Sequence, residues 1–184
     1  VCTPNKFHAP LTTAALEKGL HVLCEKPMAM NTAEAVAMNE LAKKKRLNLM
    51  INFSYRFSAM SQALKNEVDK GSFGDFYFGR TVWHRRRGMP GFGGWFGDKE
   101  LAGGGPLIDL GVHRIDLALW LTPAHPVRVI GEGSVRGNFT LIYRFDDGSM
   151  ATLHHSLAGH FDYPKELLEA SVTQVTIAMD QHIE

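Results

Sequence analysis

Apolar residues fall along the chain in two kinds of pattern, continuous runs and runs with helical spacing. The continuous runs, which are typical of buried strands, lie at residues 1–2, 21–27 and 47–57. Helical spacing marks residues 10–18 and 31–46. The order strand, helix, strand, helix, strand indicates a parallel sheet with crossover helices. We therefore predict an α/β arrangement for the first part of the chain.

The second of these helices carries its own boundary signals. Asn31 followed by Glu34 fits the Asn-x-x-Glu variant of a capping box. The basic run Lys43–Arg46 lies at the other end, where the helix dipole favours cations. We interpret this run as a solvated helix end.

The rhythm of the sequence changes after Arg56. We predict a helix over residues 61–70, a strand over 75–88, a glycine-rich loop over 89–105 and a helix over 106–121. This alternation no longer follows the strand-helix repeat of the first part. It indicates a second structural region.

Strands predominate from Val127 onward. Residues 138–156 alternate as a hairpin, with Asp147–Gly148 at its turn. Residues 165–180 predict one or two further strands, although 166–170 equally fits a helix. The second region is therefore α+β, an antiparallel or mixed sheet with helices on one face.

Length and composition describe an ordinary globular protein of 184 residues, which we divide into residues 1–51 and 52–184. A net charge of +1 favours neither nucleic acid nor an anionic membrane. No apolar run reaches the roughly 18 residues of a membrane-spanning helix, and the start lacks the layout of a signal peptide. Cys2 and Cys24 are too few for a disulfide scaffold, so we expect buried, reduced thiols and a cytoplasmic location.

The helix over 106–121 carries polar residues in an otherwise apolar sequence. At about 3.6 residues per turn, Asp109, His113 and Asp116 share one face between two apolar stripes. A carboxylate beside a histidine orients its ring and favours its protonated form, which suits a general acid or base. The same spacing also fits a structural histidine held by a hydrogen bond. The sequence leaves both interpretations open.

Polar residues follow each of the three predicted parallel strands. Lys26 follows the second strand, and its neighbours deliver amide, imidazole, phenol and guanidinium groups. Those residues are Asn5 and His8 after the first strand and Asn52, Tyr55 and Arg56 after the third. Because ligands bind at the carboxyl ends of such strands, we expect a binding site at this edge.

Together these residues resemble the Gfo/Idh/MocA family of nicotinamide-dependent oxidoreductases. The resemblance extends through about residue 160 and rests on four motifs in order. They are Thr3-Pro4-Asn5 with His8, Glu25-Lys26-Pro27, Tyr55-Arg56-Phe57 and GGGPLIDLGVHRID from Gly103 to Asp116. The resemblance implies the C-terminal part of a Rossmann domain over residues 1–51. It implies an open-sheet α+β domain over 52–184, through which a homo-oligomer forms.

The resemblance also implies a reaction, hydride transfer between NAD or NADP and a hydroxyl carbon of a sugar, polyol or related compound. Lys26 matches the lysine that binds the reacting hydroxyl, His113 the histidine that moves its proton, and Asp109 the carboxylate that supports them. The residues implied to line the cofactor site are Thr3, Pro4, Asn5, His8, Glu25, Lys26 and Pro27. Those implied to face the substrate are Tyr55, Arg56, Asp109 and His113.

The family's G-x-G-x-x-G turn and the residue that selects NAD or NADP are absent from the sequence. We therefore expect an incomplete chain of a longer enzyme. One alternative is a non-catalytic module of the same fold that senses a nucleotide or sugar. Another is a purely structural oligomerisation sheet. The presence of both Lys26 and His113 favours the enzyme.

Two further signals point to other classes of site. His154, His155 and His160 invite a metal, but adjacent strand residues face opposite sides and no Cys/His spacing matches, so we predict none. Arg85–Arg87 invites nucleic acid, but the charge is near zero and no known module is present. We predict neither metal nor nucleic acid as a partner.

Overall fold

The computed structural model describes residues 1–84, 94–133, 138–156, 166–172 and 176–180. The chain forms two compact units. The first consists of Val1–Ser54 and Met89–Val112, and the second of Tyr55–Gly88 and His113–Glu184. The first break lies three residues beyond the predicted boundary, and the chain later returns to the first unit. The prediction placed one boundary, between residues 51 and 52, and did not include this return.

Within its described residues, the first unit holds two strands and three helices. These are α1 (His8–Glu17), β1 (Val22–Glu25), α2 (Thr32–Lys45), β2 (Leu49–Asn52) and α4 (Lys99–Ala102). Strands β1 and β2 pair in parallel, with Val22 opposite Leu49 and Glu25 opposite Asn52. The predicted strand-helix alternation and parallel pairing are thus confirmed. Short 3₁₀ turns occupy Asn5–Phe7 and Trp95–Gly97.

The start of the chain runs beside β1. The Val1 amino group donates to the Leu23 carbonyl at 2.6 Å, and the Glu25 amide donates to the Val1 carbonyl at 2.9 Å. Because backbone groups alternate along a strand, Val1 lies on the edge of β1 opposite β2. Residues after Val1 therefore leave the same edge of the sheet as those that follow β1 and β2.

Helix α2 begins as its sequence predicts. The Asn31 side chain accepts a hydrogen bond from the Glu34 amide at 3.0 Å. The Glu34 carboxylate reaches back to the Met30 amide at 3.1 Å. This reciprocal cap satisfies backbone donors that have no partner within the helix.

Apolar side chains bury one face of each helix in the first unit. One cluster joins α1, the strands and α2 through Leu16, Val22, Cys24 and Ala42. Burying a side chain of the size of Leu16 stabilises the fold by roughly 2 kcal/mol. Both cysteines are unpaired, but only Cys24 is buried, so the expectation that Cys2 is buried was wrong.

Two boundaries in the first part of the chain differ from the prediction. The strand over 47–57 ends at Asn52, and Ser54–Phe57 forms a 3₁₀ turn. Residues 94–105 of the predicted loop include α4, whose N-cap Asp98 accepts hydrogen bonds from two amides. Residues 89–93 lie outside the described part of the chain.

The described residues of the second unit form two helices and a six-stranded sheet. Its elements are α3 (Ala59–Asp69), β3 (Phe76–His84), α5 (Val112–Leu121), β4 (Pro126–Gly133), β5 (Phe139–Phe145), β6 (Met150–Ser156), β7 (Glu166–Val172) and β8 (Thr176–Asp180). The strand order is β4-β5-β6-β3-β7-β8. Only the β3–β6 pair is parallel, so the described sheet is mixed, as predicted.

The predicted hairpin is present in this sheet. Strands β5 and β6 pair antiparallel around a turn in which Gly148 has φ +87°, a conformation that favours glycine. Ile115 and Leu119 of α5 pack against the apolar cluster on β5 and β6. Since β7 covers 166–172, the helical alternative for 166–170 was wrong.

Within the described residues, no helix has both the length and the apolar character needed to cross a bilayer.

Candidate active site

The first unit places Lys26 and Asp109 in direct contact. Lys26 follows β1, and Asp109 lies in a π-helical turn over Leu107–Gly111. The Lys26 Nζ lies 2.6 Å from Asp109 Oδ1 and 2.8 Å from the Asp109 backbone carbonyl. The side chains are only 16% and 11% exposed. Among the described residues these bonds use two of the three ammonium donors, so one donor is left to a ligand.

The π-helical turn was not expected from the sequence. The predicted helix has about 3.6 residues per turn throughout, whereas Leu107–Gly111 follows the wider i to i+5 pattern. The prediction of a regular α-helix throughout residues 106–121 was therefore wrong over Leu107–Gly111. The side chains of Asp109, His113 and Asp116 are nonetheless buried. Such turns recur at functional sites, and this one presents the Oδ1 and the backbone carbonyl oxygen of Asp109 to Lys26.

Two contacts hold the segments that carry this pair. The Asn5 Nδ2 donates to the Ala102 carbonyl at 2.8 Å, and Asn5 is itself buried. Gly103 follows with φ +80°, and a Cβ built on it would lie 2.6 Å from the Met30 Sδ. Only glycine fits this close approach without strain. The turn that contains Asn5 and the loop that contains Met30 are thus both held against the segment that leads to Asp109.

Other residues predicted for the cofactor site lie at the same strand ends. The Glu25 carboxylate accepts from Asn52 Nδ2 at 2.6 Å. Thr3 Oγ1 is buried and has no hydrogen-bond partner among the described residues. Pro4 precedes the first 3₁₀ turn, and Pro27 follows Lys26 through a cis peptide bond.

His8 is placed differently from what we expected. Its side chain is completely buried, with Nδ1 2.7 Å from the Pro27 carbonyl and Nε2 2.9 Å from the Thr3 carbonyl. The ring therefore contacts backbone and has no exposed surface.

The second unit places His113 among aromatic rings. Its ring centroid lies 5.1 Å from Tyr55 and 6.2 Å from Trp83, at steep angles to both. The neighbouring Arg114 is 1% exposed, and its guanidinium lies 4.9 Å from the Tyr55 ring and 4.7 Å from the Trp83 ring. Sequence reasoning missed Arg114, because nothing local distinguishes a buried arginine from a surface one.

Arg56 pairs with Asp116, the second carboxylate of the motif that runs from Gly103 to Asp116. Its Nε donates to Asp116 Oδ2 at 2.7 Å, and its terminal nitrogen donates to Oδ1. Burial raises the pKa of Asp116, and the Arg56 guanidinium partly opposes that shift. The guanidinium also lies 5.7 Å from the Trp120 ring centre. The sequence indicated a substrate role for Arg56 but not this ion pair.

Two of the three histidines considered as metal ligands lie within the described residues. His154 Nδ1 lies 3.1 Å from Thr140 Oγ1, and the His155 ring stacks on Phe139 at 4.7 Å. Within the described residues no group of three or more metal-ligating side chains assembles. His160 and Arg85–Arg87 lie outside the described residues.

Comparison with known proteins assigns both parts of the chain. Residues 1–53 match the family model described as the oxidoreductase family with an NAD-binding Rossmann fold. Residues 61–178 match the model of the GFO/IDH/MocA C-terminal domain. The chain belongs to the Gfo/Idh/MocA family. The resemblance seen in the four motifs is thereby confirmed, as is the fold class.

Curated relatives and solved structures agree with this assignment. D-glucoside 3-dehydrogenase of Escherichia coli (strain K12) is 34% identical over 98% of this chain and 56% of its own length. Myo-inositol 2-dehydrogenase of Thermotoga maritima is 25% identical over 91% of this chain and 52% of its own length. A structure of levoglucosan dehydrogenase with NADH and levoglucosan has a TM-score of 0.85 at 25% identity, covering 98% of this chain and 53% of the other. The chain thus spans about half the length of these relatives.

Proposed function

We propose that this protein is an NAD(P)-dependent oxidoreductase acting on a hydroxyl carbon of a sugar, polyol or related compound. The observation that carries the proposal is the buried ammonium of Lys26, bound twice by Asp109 with one donor to spare. A fixed cation with a donor directed at a ligand is what a developing alkoxide requires. Family membership and the sugar and polyol dehydrogenases among the relatives supply the reaction class.

Three residues divide the work on the hydroxyl group. Lys26 binds the hydroxyl oxygen through its remaining donor and stabilises the negative charge that develops there. Asp109 holds the ammonium in place. His113 accepts the hydroxyl proton as general base and returns it in the reverse direction. Tyr55, which contacts the His113 ring, and Arg56 flank the substrate in this proposal.

The residues at the strand ends fit a nicotinamide cofactor. Dinucleotides bind at the carboxyl ends of parallel strands, where Thr3 offers a buried hydroxyl with no partner among the described residues. When bound, NAD or NADP supplies the hydride acceptor. The residues proposed to line it are Thr3, Pro4, Asn5, Glu25, Lys26 and Pro27. They bind and orient it, and His8 contributes through the backbone.

Fluorescence titration with NADH and NADPH, carried out on the full-length protein that includes a G-x-G-x-x-G turn, tests the cofactor. We expect saturable binding of at least one of them. Absence of binding by either would favour a module that senses another ligand. Where binding is found, His113→Ala should lower kcat about 10²- to 10⁴-fold. His125→Ala, which changes an exposed histidine of the same unit, is the matched control. Near-native turnover in His113→Ala would remove this histidine from the mechanism.

We also propose a homo-oligomer formed through the sheet of the second unit. Every residue of the edge strand β4 is exposed, including Val127, Val129 and Ile130 at 63%, 59% and 51%. An exposed apolar edge is a template for pairing with another chain. Light scattering should give a mass above that of one chain, and Val129→Lys should lower it. A monomeric mass for the unaltered protein would contradict the proposal.

The unpaired cysteines support a reducing compartment, for which we propose the cytoplasm. A fusion to a fluorescent protein, followed by fractionation, tests this location.

A further inference from the structure

The ring of His8 is completely buried and contacts two hydrogen-bond acceptors. Its Nδ1 lies 2.7 Å from the carbonyl of Pro27, and its Nε2 lies 2.9 Å from the carbonyl of Thr3. A carbonyl oxygen accepts hydrogen bonds and cannot donate them. Both ring nitrogens must therefore carry a hydrogen if both contacts are bonds.

Neutral imidazole has a single N–H, so it satisfies only one of the two carbonyls. In that form a nitrogen lone pair would face an oxygen lone pair at under 3 Å, which is repulsive. The imidazolium donates at both nitrogens, and charge-assisted hydrogen bonds are stronger than neutral ones. The geometry thus favours a cation in a site where side-chain exposure is nil.

The surroundings of the ring are consistent with this charge. Burial alone lowers the pKa of His8, but the Cys24 side chain and the carbonyls of Pro27 and Thr3 outweigh it, so the pKa lies above its ordinary value. The Cys24 thiol, on β1, is the titratable group facing the ring among the described residues. From the segments at Thr3 and Pro27 the contacts are backbone carbonyls.

We propose that His8 is a buried imidazolium that binds both the segment containing Thr3 and the loop after β1. It thereby positions the backbone from which Lys26 extends. Thr3 belongs to the first segment and Pro27 directly follows Lys26. One charged side chain on α1 therefore fixes two segments that leave the same edge of the parallel sheet. His8 is a positioning residue, since its effect on the reaction passes through Lys26.

The protonation state can be tested without any activity. In protein labelled with ¹⁵N-histidine, long-range ¹H–¹⁵N spectra distinguish protonated ring nitrogens from unprotonated ones, and through-bond correlation to the backbone assigns His8. We expect two protonated nitrogens at pH 7.5, where an ordinary histidine with a pKa of about 6.5 is mostly neutral. One unprotonated nitrogen at that pH would overturn the proposal. Because this measurement needs no variant, it remains decisive even where variants fail to fold.

The positioning role rests on the proposed oxidoreductase function, and it is tested by His8→Gln beside His125→Gln. Glutamine keeps a donor for one carbonyl but loses the charge and the second bond. We expect kcat to fall about 10- to 100-fold, as for a reactive group displaced by about 1 Å, with little change in KM for the sugar. The exposed control should leave kcat unchanged. An unchanged kcat in folded His8→Gln would overturn the positioning role.

A pH profile of stability separates positioning by charge from mere packing. A raised folded pKa means that the stabilisation is complete below the unfolded pKa and is lost as pH rises through the folded pKa. The unaltered protein should lose this stabilisation between the unfolded histidine pKa and the His8 pKa seen by NMR, with the loss almost complete at the latter. His8→Gln should lack it. Retention of the same alkaline loss in His8→Gln would overturn the proposal, whatever the activity measurements give.

Discussion

The Lys26–Asp109 pair should contribute far more to stability than the surface ion pairs of the same unit. Its side chains are 16% and 11% exposed, whereas those of Lys43 and Glu40 are 65% and 63% exposed at a distance of 3.0 Å. Removing one partner of a buried pair costs about 3–5 kcal/mol, because the other charge is left without compensation. Some access to water lowers this figure, so we expect Asp109→Asn to cost about 2–3 kcal/mol. Glu40→Gln should cost less than about 0.5 kcal/mol.

A double-mutant cycle isolates the interaction. Lys26→Met leaves the carboxylate buried without its cation, and Asp109→Asn leaves the ammonium without its anion. The double variant buries no net charge, so its loss should be smaller than the sum of the single losses by at least about 1.5 kcal/mol. Native-state hydrogen exchange of the β1 amides reads this free energy in the first unit by itself.

Two results would refute this reasoning. If Asp109→Asn destabilises β1 no more than Glu40→Gln does, the pair is not desolvated. If the losses of Lys26→Met and Asp109→Asn simply add in the double variant, the two groups do not interact. Either outcome would also weaken the proposed mechanism, because a loosely held ammonium is a poor partner for an alkoxide.

Three further changes test other parts of the structure. Gly103→Ala should lower the free energy of unfolding by about 1–2 kcal/mol, because its φ is +80°; Gly105→Ala, which meets open space, should stay within about 0.5 kcal/mol in urea unfolding. Because burial raises the pKa of Asp116, its stability contribution declines as pH rises from the unfolded pKa, near 4, to the folded one. Arg56→Met removes the opposing cation, so the upper end of this pH window should move to higher pH in a pH titration of stability, and an unchanged upper end would contradict the pairing. Arg114→Lys should cost about 2 kcal/mol, since lysine does not stack between two rings, and a loss below about 0.5 kcal/mol in urea unfolding would mean that the rings do not hold the guanidinium.

Elements with local signals could be predicted from the sequence. The start of α2 follows from Asn31 and Glu34, three residues apart, and the β5–β6 turn follows from Asp147–Gly148. In each case the deciding hydrogen bond or dihedral angle involves residues within one turn. Parallel pairing of β1 and β2 followed from the alternation of strand and helix, because that order is typical of parallel strands joined by crossover helices.

Contacts between distant residues could not be predicted. The strand β6 inserts beside β3 in parallel, with Phe78 opposite Met150, and no local pattern specifies that neighbour. Arg56 and Asp116 are sixty residues apart in the chain. The π-helical turn was hidden for another reason. A single wider turn changes which residues share a helix face. The pattern of apolar residues in the sequence, however, is the same as for a regular α-helix.

The two carboxylates of the apolar helical segment now have separate explanations. Asp109 binds the cation that follows β1, and Asp116 binds the cation that follows β2 in the chain. Each buried anion is therefore compensated within its own unit. The rings of Tyr55 and Trp83 contact the imidazole of His113. Such contacts orient the ring plane of the residue that, in the proposed mechanism, accepts and returns the hydroxyl proton.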